Sequence, residues 1–249
     1  MGILANGLED RSREIKISRI LAAIAGGYLL LSFIAPLAIP EGTVPELSGR
    51  ANAFDYATES GWGNQNHGEG VTVGHDQSAH GGTFAWTELN PLWAFVYAFG
   101  DLNCHQKHER SWELNGNQMP MCTRDVGIFF GFVVGVALFG RRGLNRWTVR
   151  DTFLSIIPDQ RLEPIYLTDK RMLAMLAIIG LGLIPIAVDG FTQHLTDYES
   201  TNPVRVVTGL LCGLVLGWFI AASASARTKY FEDDPELVVL PANARLMTK

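Results

Sequence analysis

The sequence predicts an all-α integral membrane protein, with about four transmembrane helices, a short interfacial helix and a long outer loop. Three observations carry this. Apolar runs recur at lengths near the roughly 20 residues that cross a bilayer's hydrocarbon core. Basic residues flank those runs and mark alternate loops. Between the first and second runs lies a long stretch rich in Gly, Asn, Ser, Thr and His, with no sustained period.

Residues 1–19 form a polar N-terminal segment carrying Arg11, Arg13, Lys16 and Arg19. The first span is expected at 20–40. A secretory signal has a similar charged start, but its apolar region is only about 7–15 residues. This run is longer, so it reads as a retained helix. Residues 41–89 read as the outer polar loop, with a short hairpin around Val71–Val73. The segment 90–121 holds the interfacial helix and a Cys-His stretch. Asn90 before Pro91 is a helix start, the amide capping and the proline taking the first helical position. The apolar stretch Leu92–Phe99 is too short to span, and Trp93 and Tyr97 suit a membrane interface.

The second span is expected at 122–140. Its most apolar part, Val126–Gly140, rises only about 22 Å, so the helix must begin nearer Cys122. A basic loop at 141–171 follows, with an amphipathic stretch at Val149–Ile157. The third span is expected at 172–188, an outer loop at 189–202, the fourth span at 203–226 and a loosely ordered polar tail at 227–249.

Orientation follows from the basic residues. Arg141, Arg142, Arg146, Arg150, Arg161, Lys170 and Arg171 mark the 141–171 loop, and Arg227 and Lys229 open the tail. The segment 189–203 has no lysine or arginine. Both termini are therefore expected in the cytoplasm, with 41–121 and 189–203 outside. The net charge of −5 is small and the basic residues sit beside apolar runs, which fits a lipid bilayer as partner and excludes a nucleic-acid surface. Gly127, Gly131 and Gly135 on the second span, and Gly209, Gly213 and Gly217 on the fourth, form small-residue ladders. Such faces seat a neighbouring helix, in this chain, in a second copy or in a partner membrane protein.

Two polar constellations fall on the expected outer side. One runs from Asn103 through Cys104, His105, His108 and Arg110, and resumes at Cys122, Arg124 and Asp125. The other comprises Asp189, Gln193, Glu199, Asn202 and Arg205. Ionisable groups at membrane depth mark function, but these lie near span ends where water reaches. An Asp189–Arg205 pair, or Arg124 reaching Asp189, would lock helices together. Substrate contact is the competing reading. His75, Asp76 and His80 are donors for a second metal site in the outer loop. Cys212 lies in an apolar run and reads as a small packing residue.

The stretch from Cys104 to Gly131, Cys-His-Gln…Arg-Ser…Gly…Pro-x-Cys-x-Arg-x-x-Gly-Ile-Phe-x-Gly, resembles the DUF2085 family of predicted prokaryotic membrane proteins. Asp189-Gly190…Gln193…Glu199-Ser200…Asn202…Arg205…Gly209 is similar to the family's second block. The resemblance implies a small polytopic protein of a prokaryotic cell membrane and brings no activity with it. The family's usual pattern at Cys122 is Cys-x-Arg-Cys, where this chain has Cys122-Thr123-Arg124-Asp125. A Cys-His pair with a Cys-x-x-Cys implies a four-ligand metal site. Asp125 keeps an anionic donor and still admits zinc, as a harder site.

The expected ligands are therefore Cys104, His105, Cys122 and Asp125, with His108 as the alternate. Cys122 and Asp125 share a helix face. Cys104 and His105, being adjacent, can both ligate only if the backbone turns there. A disulfide between Cys104 and Cys122 is the competing reading, since both fall on the expected oxidising side. Three functions follow: an accessory or structural subunit with a zinc site at the outer interface, a metal-dependent hydrolase acting on a lipid or peptide, or a disulfide-pinned scaffold. The hydrolase needs an open metal position with Glu109, Glu113 or Glu199 as base. A transporter needs polar residues at mid-membrane depth, where the spans show almost none.

Overall fold

The computed structural model describes residues 3–4, 7–8, 10–68 and 73–246. Of the hairpin expected around Val71–Val73, residues 71 and 72 lie outside the described residues. The helices are α1 (Ser12–Ala38), α2 (Pro91–Asn103), α3 (Thr123–Arg142), α4 (Val149–Leu154), α5 (Asp159–Leu167), α6 (Arg171–Leu195) and α7 (Asn202–Ser225). Strands β1 (Ile3–Leu4) and β2 (Gly7–Leu8) pair antiparallel, as do β3 (Ser111–Leu114) and β4 (Asn117–Cys122).

α1, α3, α6 and α7 are long and apolar enough to cross a membrane, with mean hydropathies of 2.1, 1.5, 2.3 and 2.1. The chain is thus a helical membrane protein with four spanning helices among its described residues, together with the short helix α2. α3 starts at Thr123, the earlier start that span length demands, and its 20 residues rise about 30 Å. Asn90 caps α2 by accepting from the backbone N–H of Leu92 and Trp93, with Pro91 in the first turn.

The chain forms two compact units. One comprises residues 1–25, 128–197 and 210–249. Its centre is the seam between α3 and α7. A Cβ at Gly131 or Gly135 would overlap the carbonyls of Leu210 or Leu214, and one at Gly213 or Gly217 those of Ile128 or Phe132. Small residues thus let the two backbones touch, the means by which helices associate where lipid offers no hydrophobic drive. Of the neighbours expected for these ladders, the helix within the chain is the one that Gly131, Gly135, Gly213 and Gly217 meet. Phe153 of α4 stacks on Trp218 with centroids 4.2 Å apart, and the Trp218 indole N–H donates to the Phe153 carbonyl at 2.8 Å. By contrast α6 exposes Leu173, Leu176, Leu181, Ile184 and Val188, as a lipid-facing helix does.

The basic loop is built rather than loose. Arg146, 1% exposed, meets Asp159 at 2.8 Å. Asp151, fully buried, accepts from the Tyr166 hydroxyl at 2.8 Å and from the Thr148 hydroxyl at 2.6 Å, with Arg171 at 3.6 Å. Arg11 donates to the carbonyls of Gly140 and Gly143 at 2.8 and 2.9 Å, and Arg13 to that of Ala224 at 2.8 Å. These basic residues satisfy the last carbonyls of α3 and α7, where the helix dipole favours positive charge. The tail also departs from its expected looseness: Phe231, Val238 and Leu240 are buried in the cluster built on Phe139, Phe153 and Leu162.

The other unit comprises residues 26–127 and 198–209. The stretch expected as a polar loop folds around Val44, Leu47, Tyr56 and Phe84, which pack with Ala35, Ile39, Val96 and Tyr97. Buried side chains replace much of the regular pairing. The Asn117 amide accepts from the Val44 N–H at 2.8 Å and donates to the carbonyls of Pro36 and Pro40. Gln118 accepts from the Leu47 N–H at 2.8 Å and donates to the Gln106 carbonyl at 2.6 Å. Asp101, 1% exposed, accepts from the Tyr56 N–H and the Trp86 indole, both at 3.0 Å. Burial, the largest influence on it, pushes its carboxyl above the usual range.

The glycine seam makes a sharp prediction. Gly213→Ala puts a methyl into the Ile128 carbonyl and is expected to cost about 1–3 kcal/mol. Gly190→Ala, in α6 with nothing within 4 Å, leaves stability unchanged or raised. Thermal melts in detergent check the pair. Equal melting temperatures for the two variants would contradict the seam.

Candidate metal centre

The candidate centre stands where α2, the β3–β4 hairpin and α3 meet. α2 ends at Asn103 and Cys104 is its C-terminal cap, its N–H donating to the Gly100 carbonyl at 2.9 Å. The chain then reverses. Gln106 takes a left-handed conformation at φ +44°, an uncommon one for a residue with a side chain. Its carbonyl takes the Gln118 amide, and its own side-chain amide donates to the Pro120 carbonyl at 3.1 Å. The His105 carbonyl accepts from the Gly49 N–H at 2.8 Å, and the His108 N–H donates to the Leu47 carbonyl at 2.9 Å.

The hairpin returns the chain to this turn. Asn115 and Gly116, both at positive φ, form its two-residue loop, and a bulge falls between Ser111 and Glu113. Asn-Gly is the preferred pair for such a loop because both positions need φ > 0. The sequence reading missed this hairpin, although Asn115-Gly116 is its signal. Ser111 pairs with Cys122, and α3 begins at the next residue.

Among the described residues, Cys104, Cys122 and Asp125 bring one donor atom each to within 4.8 Å of one another. The Cys122 thiol donates to Asp125 Oδ2 at 3.2 Å. Cys104 is 5% exposed. Its hydrogen bond with Cys122, and then burial, hold the thiol well above the ordinary range. All three cysteines are free thiols, Cys104 and Cys122 included.

The other expected ligands are not among the three clustered donors. His105 is exposed and is not one of the clustered donors. Partial burial of the ring, then Arg110 and Lys107, press its imidazole below the usual value. His108, the alternate, turns to Glu46, with Nε2 3.4 Å from Oε1. His80 Nδ1 takes the other oxygen of Glu46 at 2.8 Å, and His75 stacks on His80 with centroids 4.0 Å apart. Asp76 caps the turn at Gln77–Ala79 by accepting from the Ser78 N–H. The expected second site thus becomes a histidine–glutamate cluster on Glu46, a residue that spacing did not single out.

Glu199 bridges Arg110 at 2.9 Å and Arg205 at 2.8 Å. Asn202 accepts from Arg205 Nη1 at 3.1 Å and lies 3.1 Å from the Thr123 hydroxyl. Glu199 is thus a carboxylate partner of Arg205 within this unit. In the other unit, Asp189 accepts from Gln193 one turn on in α6, at 3.0 Å. Arg124 stands in the first turn of α3, one residue before Asp125. Lys107 has its ammonium pushed below the usual value by burial and then by Arg110.

Two thiols and a carboxylate on rigid elements are a donor set for a borderline-soft divalent ion such as zinc. In metal-free protein, alkylation of Cys104 should rise with pH around a midpoint above the ordinary thiol range. Cys122→Ala removes the largest upward influence and lowers that midpoint. Mass spectrometry of alkylated protein across a pH series measures both. A wild-type midpoint at or below that of a free thiol would contradict this geometry.

Known proteins resemble the part of the chain that carries these residues. A family described as a predicted membrane protein (DUF2085) matches residues 104–219. An uncharacterised protein of Methanocaldococcus jannaschii is 30% identical over 137 residues, 53% of this chain and 73% of its own length. An uncharacterised protein of Methanothermobacter thermautotrophicus is 31% identical over 114 residues, 45% of this chain and 79% of its own length. No solved structure matches the chain at a significant level.

Proposed function

The chain belongs to the DUF2085 family of predicted membrane proteins, and we propose that this multi-pass membrane protein holds a zinc ion on Cys104, Cys122 and Asp125 as an accessory or structural subunit. One observation carries the reading: three donors from the end of α2, the end of β4 and the start of α3 converge within 4.8 Å. Around tetrahedral zinc, thiolate and carboxylate donors stand about 3.5–3.8 Å apart, so the cluster needs to close only a little. Binding would release the thiol protons and tie the hairpin to two helices. His105, next to Cys104 in the chain, is the expected ligand that would complete four-coordination. The basic flanks support a topology with both termini and residues 141–171 in the cytoplasm of a prokaryotic cell, in which the zinc would lie at the outer interface.

Three protein donors is also the number that leaves a catalytic position open. A hydrolase acting on a lipid or peptide is therefore the second reading. Glu199, one candidate base, is engaged by two arginines. The nearness of Cys104 to Cys122 equally suits a disulfide-pinned scaffold.

Elemental analysis of detergent-purified protein, wild type beside Cys122→Ser, tests the proposal. About one zinc per chain in the wild type and a loss of most of it in the variant is the expected result. No metal in either, with Cys104 and Cys122 closed to alkylation until reduced, would replace the metal site by the disulfide.

A further inference from the structure

A pocket of about 260 Å³ is lined by Lys107, Glu109, Arg110, Glu199, Ser200 and Arg205. Its three basic residues outnumber its two acidic ones. The two oxygens of one carboxylate, Glu199, are divided between two guanidiniums: Oε1 takes Arg110 at 2.9 Å and Oε2 takes Arg205 at 2.8 Å. The three side chains are unequal. Arg205 is 4% exposed, Arg110 26% and Glu199 65%. Asn202 holds a second guanidinium nitrogen of Arg205 at 3.1 Å, so that arginine is fixed.

This inequality decides which partner can leave. A buried guanidinium without an oxyanion is expensive, whereas an exposed carboxylate returns to water at little cost. The pocket therefore demands an oxyanion near the Glu199 position, and Glu199 is the most replaceable one. Inorganic phosphate offers more oxygens and more charge than a carboxylate, a phosphodiester headgroup matches the carboxylate with two free oxygens and one negative charge, and planar guanidiniums take either in paired hydrogen bonds. Arg205 stands in the first turn of the spanning helix α7, at the level of a span end, where phosphate is available from lipid headgroups as well as from solution.

We propose that Arg110, Arg205 and Lys107 form a phosphate-binding pocket in which Glu199 is a built-in competitor that the incoming phosphate displaces. Binding adds charge-assisted hydrogen bonds and breaks no covalent bond. The pocket does not depend on the zinc reading, since none of the three clustered metal donors lines it.

The test uses full-length protein in phosphate-free neutral detergent. One arm titrates inorganic phosphate. A second titrates phosphatidylglycerol in mixed micelles, against a phosphate-free glycolipid as control. Affinity is read by calorimetry. In the favoured arm, Glu199→Gln should bind about tenfold tighter than wild type, because it keeps the shape and removes the competing charge. Arg110→Gln should bind about tenfold more weakly. Saturation by inorganic phosphate identifies the free ion as ligand, and saturation by phosphatidylglycerol alone identifies a lipid headgroup. The gain in Glu199→Gln cannot come from misfolding, so it stands even if Arg110→Gln fails to fold. If Glu199→Gln keeps the wild-type helical circular dichroism but gains affinity in neither arm, Glu199 is a structural lock and the proposal fails.

Discussion

The candidate centre depends on one backbone contact. α2 lies so close to β4 that position 100 has no room for a side chain: a Cβ on Gly100 would overlap the Pro120 carbonyl. Only at that separation can Cys104, one turn beyond Gly100, meet Cys122, two residues beyond Pro120. Other bonds hold the approach. The Tyr97 hydroxyl donates to the Gln118 carbonyl at 3.0 Å, and the Gln106 amide reaches the Pro120 carbonyl at 3.1 Å. A glycine thus performs, at the level of packing, what no ligand residue could do for itself.

The same strand orders the segment before it. Asn117 and Gln118 spend their side-chain amides on the backbone of residues 36–47 and 106, where a further strand would ordinarily supply the pairing. Buried polar networks of this kind are stable only when each member finds partners. They also explain how a segment rich in glycine and polar residues becomes compact. Its apolar core is small, Val44, Leu47, Tyr56 and Phe84, and specific amide bonds supply the rest of its order.

Much of the architecture was legible because spanning a bilayer imposes a simple requirement of length and apolarity. α1, α6 and α7 declare themselves as long runs, and the early start of α3 follows from the span length that Val126–Gly140 alone cannot meet. Asn90-Pro91 declares the start of α2. The glycine ladders announced close packing but not which face would meet which. The fold of residues 41–89 was not legible, since it rests on bonds such as Asn64 to Phe84 and Val44 to Asn117, across 20 and 73 positions. Composition there says only that the chain turns often. The hairpin could have been read from Asn115-Gly116. The histidines show the limit of spacing: His108 lies close to Cys104 in sequence, yet the carboxylate of Glu46 takes it elsewhere. Cys122 and Asp125 came together because three positions along a helix fix a shared face whatever the surroundings.

The most direct test of the metal centre is X-ray absorption at the zinc edge on the protein in detergent, loaded with a single equivalent of zinc. The account predicts a shell of two sulfurs at about 2.3 Å with nitrogen or oxygen donors at about 2.0 Å completing four-coordination. A spectrum with nitrogen and oxygen donors alone would contradict it, because it would place the ion away from Cys104 and Cys122.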